Sequence, residues 1–516
     1  MLKKSLLLLF LFLGLNYYLN AQIAPEKLDE LVKNTLKTFD VPGISVGILK
    51  DGKLIYAKGH GVRSLKTKQP MNENTLVGIA SNSKGFTCMA LSMLVDEGKI
   101  TWDDKVIKHL PDFKMYDEAV TKEITIKDLV THRAGLGLGQ GDLMFFPEGG
   151  TLTTENIVYN VRYLKPYYSF RNTMDYNNIM FIVAGEIIRK VSGLFWAEFI
   201  ETRILKPVGM VSSVGSYNRI KSNTNIIDAH APVNGKAIAI PHDWNETANA
   251  AGGIMSNITD MAVWAEFLMN GGVTKDGKRL VSEKQMNYLW QIQTPLTANN
   301  IPPYNSQFYG YALGWFVSDV KGLKQIQHTG GLLGTVTQFT LIPDMKLAII
   351  VLTNQQVGAA FSTITNTIKD SYLGIEDRNL LKIYSERVNK SWEEANKVTQ
   401  EVYKKVEEAK TKKISYISEN IVGIYKDNWF GEVEILSKNN QYRIFCKTSP
   451  RLKGDLLPYS ENTFVAKWDD RSYDADAFVI ISFDKNGKAE SFKMKAFSPM
   501  TDFSFDFQNL DLKRVK

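Results

Sequence analysis

Cysteine is scarce in this chain: 516 residues contain two, Cys88 and Cys446. So few thiols, so far apart, exclude a disulfide framework, and Cys88, inside an apolar helical run, reads as packing rather than chemistry. Concentrated basic blocks are also missing. The formal charge of +7 falls by two without Lys3 and Lys4, and no aromatic-basic array accompanies it, so no nucleic acid partner is expected. The histidines, His60, His109, His132, His230, His242 and His328, show no H-E-x-x-H or comparable spacing, and no Walker or dinucleotide glycine motif sits between a strand and a helix. No metal and no cofactor are therefore expected. After the first residues, no apolar run is long enough to cross a bilayer.

The N-terminus carries an apolar run of its own, too short to span a bilayer comfortably. Met1–Ala21 carries two lysines, an apolar run over Leu6–Leu15, and Leu19-Asn20-Ala21 before Gln22. This reads as a secretory signal peptide cleaved after Ala21, with a retained anchor as the alternative, and it places the chain in the periplasm or outside the cell. No cysteine follows the leader, which argues against a lipid anchor. A length of 516 residues with 44% hydrophobic content suffices for two or three domains with substantial cores.

Pro25–Asp40 has Leu28, Leu31, Val32 and Leu36 at helical spacing. Val41–Lys50 alternates, turns at Asp51-Gly52 and returns through Leu54 and Tyr56, which predicts a hairpin. The stretch Ile79–Glu97 then places Ser81 at the start of a helix with Lys84 three residues on, so hydroxyl and amine share a face. Ser-x-x-Lys also occurs at Ser318/Lys321 and Ser482/Lys485. Only after Ser81 does an apolar helical run follow (Phe86, Met89, Ala90, Met93, Leu94), and a helix N-terminus favours a developing oxyanion. A glycine-rich loop, 134–150, is a candidate rim or lid of a cleft.

Two further motifs could complete a site. Tyr176-Asn177-Asn178 precedes an apolar helix, Ile179–Val191. Its phenol could move protons if nearby cations lower its pKa, and the Asn178 amide could hold a substrate carbonyl. His328-Thr329-Gly330-Gly331 lies at or beside a strand that precedes a hairpin, Thr335–Leu341 with Leu347–Leu352. Its glycines let backbone approach a substrate, and an N–H there could pair with that of Ser81 as an oxyanion hole.

With these three motifs in this order, the sequence resembles the serine β-lactamase and penicillin-recognising superfamily, and within it the class C β-lactamase-like hydrolases. The resemblance covers roughly Pro25–Leu373 and includes Val41-Pro42-Gly43, Thr131-His132-Arg133-Ala134-Gly135-Leu136 and Ala251-Gly252-Gly253-Ile254-Met255-Ser256. It implies an α+β fold, the α/β sandwich of the β-lactamase/transpeptidase type. It also implies roles: Ser81 as acylated nucleophile, Lys84 as its proton acceptor, and Tyr176 as partner base. Asn178, His328, Thr329 and Gly330 would bind substrate, and the N–H groups of Ser81 and Gly331 would form the oxyanion hole. His328 stands where many members have lysine, and a mostly neutral imidazole attracts a substrate carboxylate less. The expected activity is hydrolysis of small esters, D-amino-acid peptides or β-lactam-like amides through an acyl-enzyme, with weak or absent β-lactamase activity. The alternative is a penicillin-binding or sensor protein that acylates without turnover.

From Ile375 the composition shifts to Lys, Glu and Ala, as in a solvated helical linker. Beyond Ser415, short alternating runs (421–425, 432–436, 442–445, 463–468, 478–483, 491–496 and 502–507) predict a small antiparallel β-barrel. It resembles the lipocalin-like domain appended to some of these hydrolases, and its aromatics read as core. The expected layout is a signal peptide over 1–21, a hydrolase domain over 22–374, a helical linker over 375–414 and a barrel over 415–516. A small-molecule or peptide substrate is the expected partner. Oligomeric state is left open.

Overall fold

The computed structural model describes residues 22–221, 225–242, 244, 246–411, 420–439 and 441–515; the expected signal peptide, 1–21, lies outside them. An eight-stranded antiparallel sheet forms the frame of the first part. In spatial order its strands are Lys53–Gly61, Gly43–Lys50, Leu347–Thr353, Thr335–Ile342, Leu323–Leu332, Phe316–Val320, Tyr309–Tyr311 and Thr294–Leu296. The pairing of the N-terminal hairpin with Leu347–Thr353 joins the two ends of this region. Leu347–Thr353 is apolar at nearly every position because both of its faces are covered. Leu347, Ile349 and Val351 pack with Leu28, Val32, Ile364 and Ile368 of the helices Pro25–Phe39 and Gly358–Tyr372. Ala348, Ile350 and Leu352 face the other way, into the larger core.

That larger core surrounds the helix Ser83–Asp96, which is buried from Ser83 to Leu94. A helix apolar on all sides belongs in the middle of a protein, and Ile179–Ser192 and Ile258–Met269 help to enclose it. Ser81 itself lies just ahead of this helix, in a 3-10 turn, Ala80–Asn82. Ala80 has φ 50°, a left-handed conformation that costs a residue with a β-carbon about 1–3 kcal/mol and is kept only where the surroundings enforce it. Asn82 does the enforcing: its Nδ2 donates to Thr337 Oγ1 (2.9 Å) and to the Ile79 carbonyl (3.1 Å). The turn is thus stitched to the strand Thr335–Ile342.

The C-terminal part is a closed barrel of eight antiparallel strands running from Gly423–Asp427 to Leu512–Arg514, each paired with the next and the last with the first. Closure leaves no free strand edge. Tyr425, Trp468, Phe492 and Met494 are buried in its core, as an eight-stranded barrel allows. Lys453–Pro458 is a strand that the sequence pattern did not reveal. Residues 502–507, expected to be a strand, are not one; they belong to the connection between Ala489–Ala496 and Leu512–Arg514. The charged stretch is a helix, Leu380–Thr411, about 48 Å long at 1.5 Å per residue. It is not wholly solvated: Leu380 and Ala395 are buried, and Val402 and Val406 pack on Val465 of the barrel.

Gly330 and Gly331 make contrasting tests of this frame. A β-carbon on Gly330 would stand 2.2 Å from the Ile79 carbonyl and 2.6 Å from Thr337 Oγ1, whereas one on Gly331 meets nothing within 4 Å. Gly330→Ala is expected to destabilise the protein by about 1–3 kcal/mol in chemical denaturation. Gly331→Ala should leave the unfolding midpoint unchanged.

Candidate active site

The Lys84 side chain is fully buried. Its Nζ donates to Asn178 Oδ1 (2.7 Å) and to the Ala251 carbonyl (2.9 Å), and lies 3.0 Å from Ser81 Oγ. A neutral amine has two N–H bonds and one lone pair. Two fixed carbonyl oxygens occupy the N–H bonds, which leaves the lone pair for the serine hydroxyl. Burial pulls the pKa of Lys84 down to about 7, with Asp142 the main opposing influence, so a large share of the molecules hold the neutral form near pH 7. The amine also sits 4.8 Å from the centre of the Tyr176 ring and 5.2 Å from that of Phe181.

Asn178 is the residue before the helix Ile179–Ser192. Both ends of its amide are engaged, since Nδ2 donates to Asp142 Oδ2 at 2.8 Å. Asp142, on the glycine-rich loop, is fully buried and held well above the usual carboxylate range by desolvation and by nearby Asp506. The loop is therefore less a mobile rim than a buried support. Tyr176 lies against His132, with ring centroids 4.3 Å apart. Its hydroxyl is buried and forms no hydrogen bond of full geometry. The condition under which the phenol would lose its proton near neutral pH, a pKa lowered by nearby cations, is not met: burial pushes the Tyr176 pKa up, nearby Ser81 opposes the rise and Asp142 adds to it. The phenol is thus protonated near neutral pH and can donate a proton before it accepts one.

His328, Thr329, Gly330 and Gly331 all lie in the strand Leu323–Leu332. On one side the pairing with Thr335–Ile342 runs through to Leu332, but on the other, pairing with Phe316–Val320 stops at Gln327. From His328 onward one edge of the backbone is free of strand pairing. Gly330 packs tightly on Ile79 and Ala80, which brings this edge against the serine turn. His328 is buried and neutral: Nδ1–H donates to the Thr329 carbonyl (2.5 Å) and Nε2 accepts from the Tyr311 hydroxyl (3.2 Å). Burial, with Lys84 nearby, takes its pKa down to about 3.

Ser81, Tyr176, Asn178, His328, Thr329 and Gly331 line one cleft of about 310 Å³, while Gly330 and Lys84 lie behind its wall. Phe145, Phe146, Trp244 and Phe316 make its sides apolar, and Asp502, Phe503 and Ser504 of the barrel's last connection enter it. Among the described lining residues Asp502 is the one acidic side chain, and none is a cation. Desolvation raises the Asp502 pKa. Although its side chain reaches solvent, it is flanked closely by protein, as befits a cleft wall. His242, which pairs with Glu148 Oε2 at 2.9 Å, belongs to no metal cluster among the described residues. Sequence reasoning missed Asp142, Tyr311 and the barrel's contribution; Phe145 and Phe146 lay in the loop singled out as a rim.

A family profile described as Beta-lactamase matches residues 28–372, and one described as a domain of unknown function (DUF3471) matches 409–514. The chain is 29% identical over 347 residues to unguisins hydrolase ungD' of Aspergillus campestris, covering 63% of this chain and 60% of that protein. It is 27% identical over 338 residues to protein flp of Staphylococcus aureus, covering 64% of this chain and 62% of that one. The chain thus spans less than two thirds of the length of either relative. Among solved structures, the octameric penicillin-binding protein homologue from Pyrococcus abyssi superposes with TM-score 0.61 at 21% identity, covering 93% of this chain and 99% of that one. A class C β-lactamase superposes with TM-score 0.54 at 19% identity, covering 69% and 96%.

With Lys84 half-neutral near pH 7, the rate at which a phosphonate modifies the serine should climb through about pH 7 and level off above it. An ordinary lysine, with a value of 10.5, would instead keep the rate climbing past about pH 9.

Proposed function

The chain belongs to the β-lactamase family, and from that premise we propose that it is a serine hydrolase that cleaves ester or amide bonds through an acyl-enzyme on Ser81. The observation that carries this reading is the Lys84 amine, buried, held by two carbonyl oxygens and 3.0 Å from Ser81 Oγ. Neutral Lys84 takes the serine proton as Ser81 attacks the scissile carbonyl. The oxyanion is received by the N–H groups of Ser81 and Gly331, the second on the strand segment with a free edge; one such donor is worth on the order of 3 kcal/mol of barrier. The protonated phenol of Tyr176 gives its proton to the leaving group and is restored from Lys84. Water then attacks the acyl carbonyl and loses a proton to the Lys84–Tyr176 pair, which returns one to Ser81 Oγ as it departs, releasing the acid. Thr329 and Gly330 shape the wall against which the substrate lies.

Substrate choice follows from charge. A buried, neutral His328 offers nothing to a carboxylate, and no cation lines the cleft, so β-lactams and peptides ending in a free carboxylate at this site bind poorly. Small esters and amides that are neutral or carry an amine fit a narrow, aromatic-walled cleft. A relative named as a hydrolase of unguisins accords with hydrolysis. Cleavage of 1–21 would place the enzyme in the periplasm or outside the cell, with hydrolase, helical and barrel parts over 22–374, 375–414 and 415–516.

Ser81→Ala should abolish both phosphonate labelling and ester hydrolysis. Lys84→Arg, which keeps a cation but no lone pair, should reduce kcat/KM by about 10²–10⁴-fold. In a panel of esters, D-amino-acid amides and a chromogenic cephalosporin, the cephalosporin should be the poorest; turnover of it at the rate of good esters would refute the charge argument. A stoichiometric burst with no steady rate on every substrate would replace hydrolysis by acyl retention.

A further inference from the structure

The barrel reaches the catalytic lysine through a continuous chain of hydrogen bonds. Ser504 Oγ donates to Asp142 Oδ2 at 2.9 Å. The same oxygen accepts from Asn178 Nδ2, and Asn178 Oδ1 accepts from Lys84. Asp506 grips the loop on both sides of Asp142: Oδ2 accepts from the Gly141 N–H (2.7 Å) and Oδ1 from the Leu143 N–H (3.0 Å). Asn509 Nδ2 donates to the same Asp506 Oδ2 at 2.9 Å. Phe503 lies so close to Gly139 that a β-carbon there would meet its ring at 2.6 Å.

We propose that Ser504 and Asp506, from the connection 497–511 of the barrel, are positioning residues of the hydrolase that act through Asp142 and Asn178 to aim the Lys84 amine at Ser81. The proposal rests on Lys84 being the base. Asp142 fixes which end of the Asn178 amide faces Lys84, because a flipped amide would set Nδ2 against the amine and oxygen against the carboxyl. Asp506 fixes where Asp142 stands. The ionisable groups around Lys84 are Asp142, Cys88, Tyr176, His132 and His328, and those around Asp142 are Asp506, Tyr176 and Lys84. Cys88 and Tyr176 stay protonated, and both histidines stay neutral, because burial disfavours their charged forms. Asp142 is thus the group able to change charge against the lysine. Asp506, itself raised to about 6 by burial, opposes ionisation of Asp142.

The sign of one shift tests this. Replacing Asp506 by a neutral residue lets Asp142 ionise more readily, which holds Lys84 protonated to higher pH. In the full-length Asp506→Asn protein the acid limb of kcat/KM on a neutral ester should therefore move up by about one pH unit. If Asp506 acted on Lys84 directly, losing a negative charge would move the limb down. In an Asp142→Asn background the upward shift should vanish. Ser504→Ala, a milder change, should lower kcat by about 10-fold with KM nearly unchanged, and Ser504→Thr, which retains the hydroxyl, should recover most of it. A downward or absent shift in Asp506→Asn overturns the proposal, as does an unchanged kcat in Ser504→Ala. Should Asp506→Asn fail to fold, the Ser504 pair decides. A wild-type profile with no acid limb near pH 7 would instead count against Lys84 as base, so the two failures are told apart.

Discussion

A primary amine removed from water is the constraint on which the rest depends. Desolvation disfavours the ammonium and so makes Lys84 a base at neutral pH, but a buried neutral amine still needs its polar atoms satisfied. Asn178 Oδ1 and the Ala251 carbonyl meet that need. Each must itself be held, Asn178 by the start of an apolar helix and by Asp142, Ala251 by the short helix Asn249–Gly252 packed on the serine helix. The hydrophobic core around Ser83–Asp96 is therefore also the device that tunes the base.

The same economy governs the serine. Its turn contains a left-handed Ala80, and the strain is balanced by bonds from Asn82 to Thr337 and by the close seat of Gly330. The strand carrying Gly330 then overruns its neighbour, so Ser81 and the free backbone edge arrive together. These two features come from segments some 250 residues apart, yet each fixes the other.

What the sequence revealed, and what it hid, follows from range. Ser81 with Lys84, and Tyr176 with Asn178, are local pairs whose spacing on a helix or at its start already implies a shared face. The hairpin Gly43–Gly61 and the strands around His328 were visible because their alternation is regular. Asp142 was invisible, since nothing local marks a loop aspartate that meets an asparagine on another element and a serine more than 360 residues away. The segment 502–507 misled because it alternates for a reason other than strand pairing. Phe505 and Phe507 turn into the core, with Phe505 against Phe146 and Phe507 against Trp468, while Ser504 and Asp506 bond to the loop 134–150. Period two is the signature of two-sided packing, and a strand is only its commonest cause.

The closed barrel has a consequence for how such a chain can change. With no free edge and a core filled by side chains, its walls tolerate little alteration, whereas its connections are free to vary. One of them, 497–511, forms part of the cleft of a different fold. Insertions or substitutions confined to that loop could reshape the cleft without touching the serine, the lysine or the sheet that holds them. What the cleft admits is thus set partly by a segment that contributes neither Ser81 nor Lys84, and two proteins alike at those residues could diverge through their barrels alone.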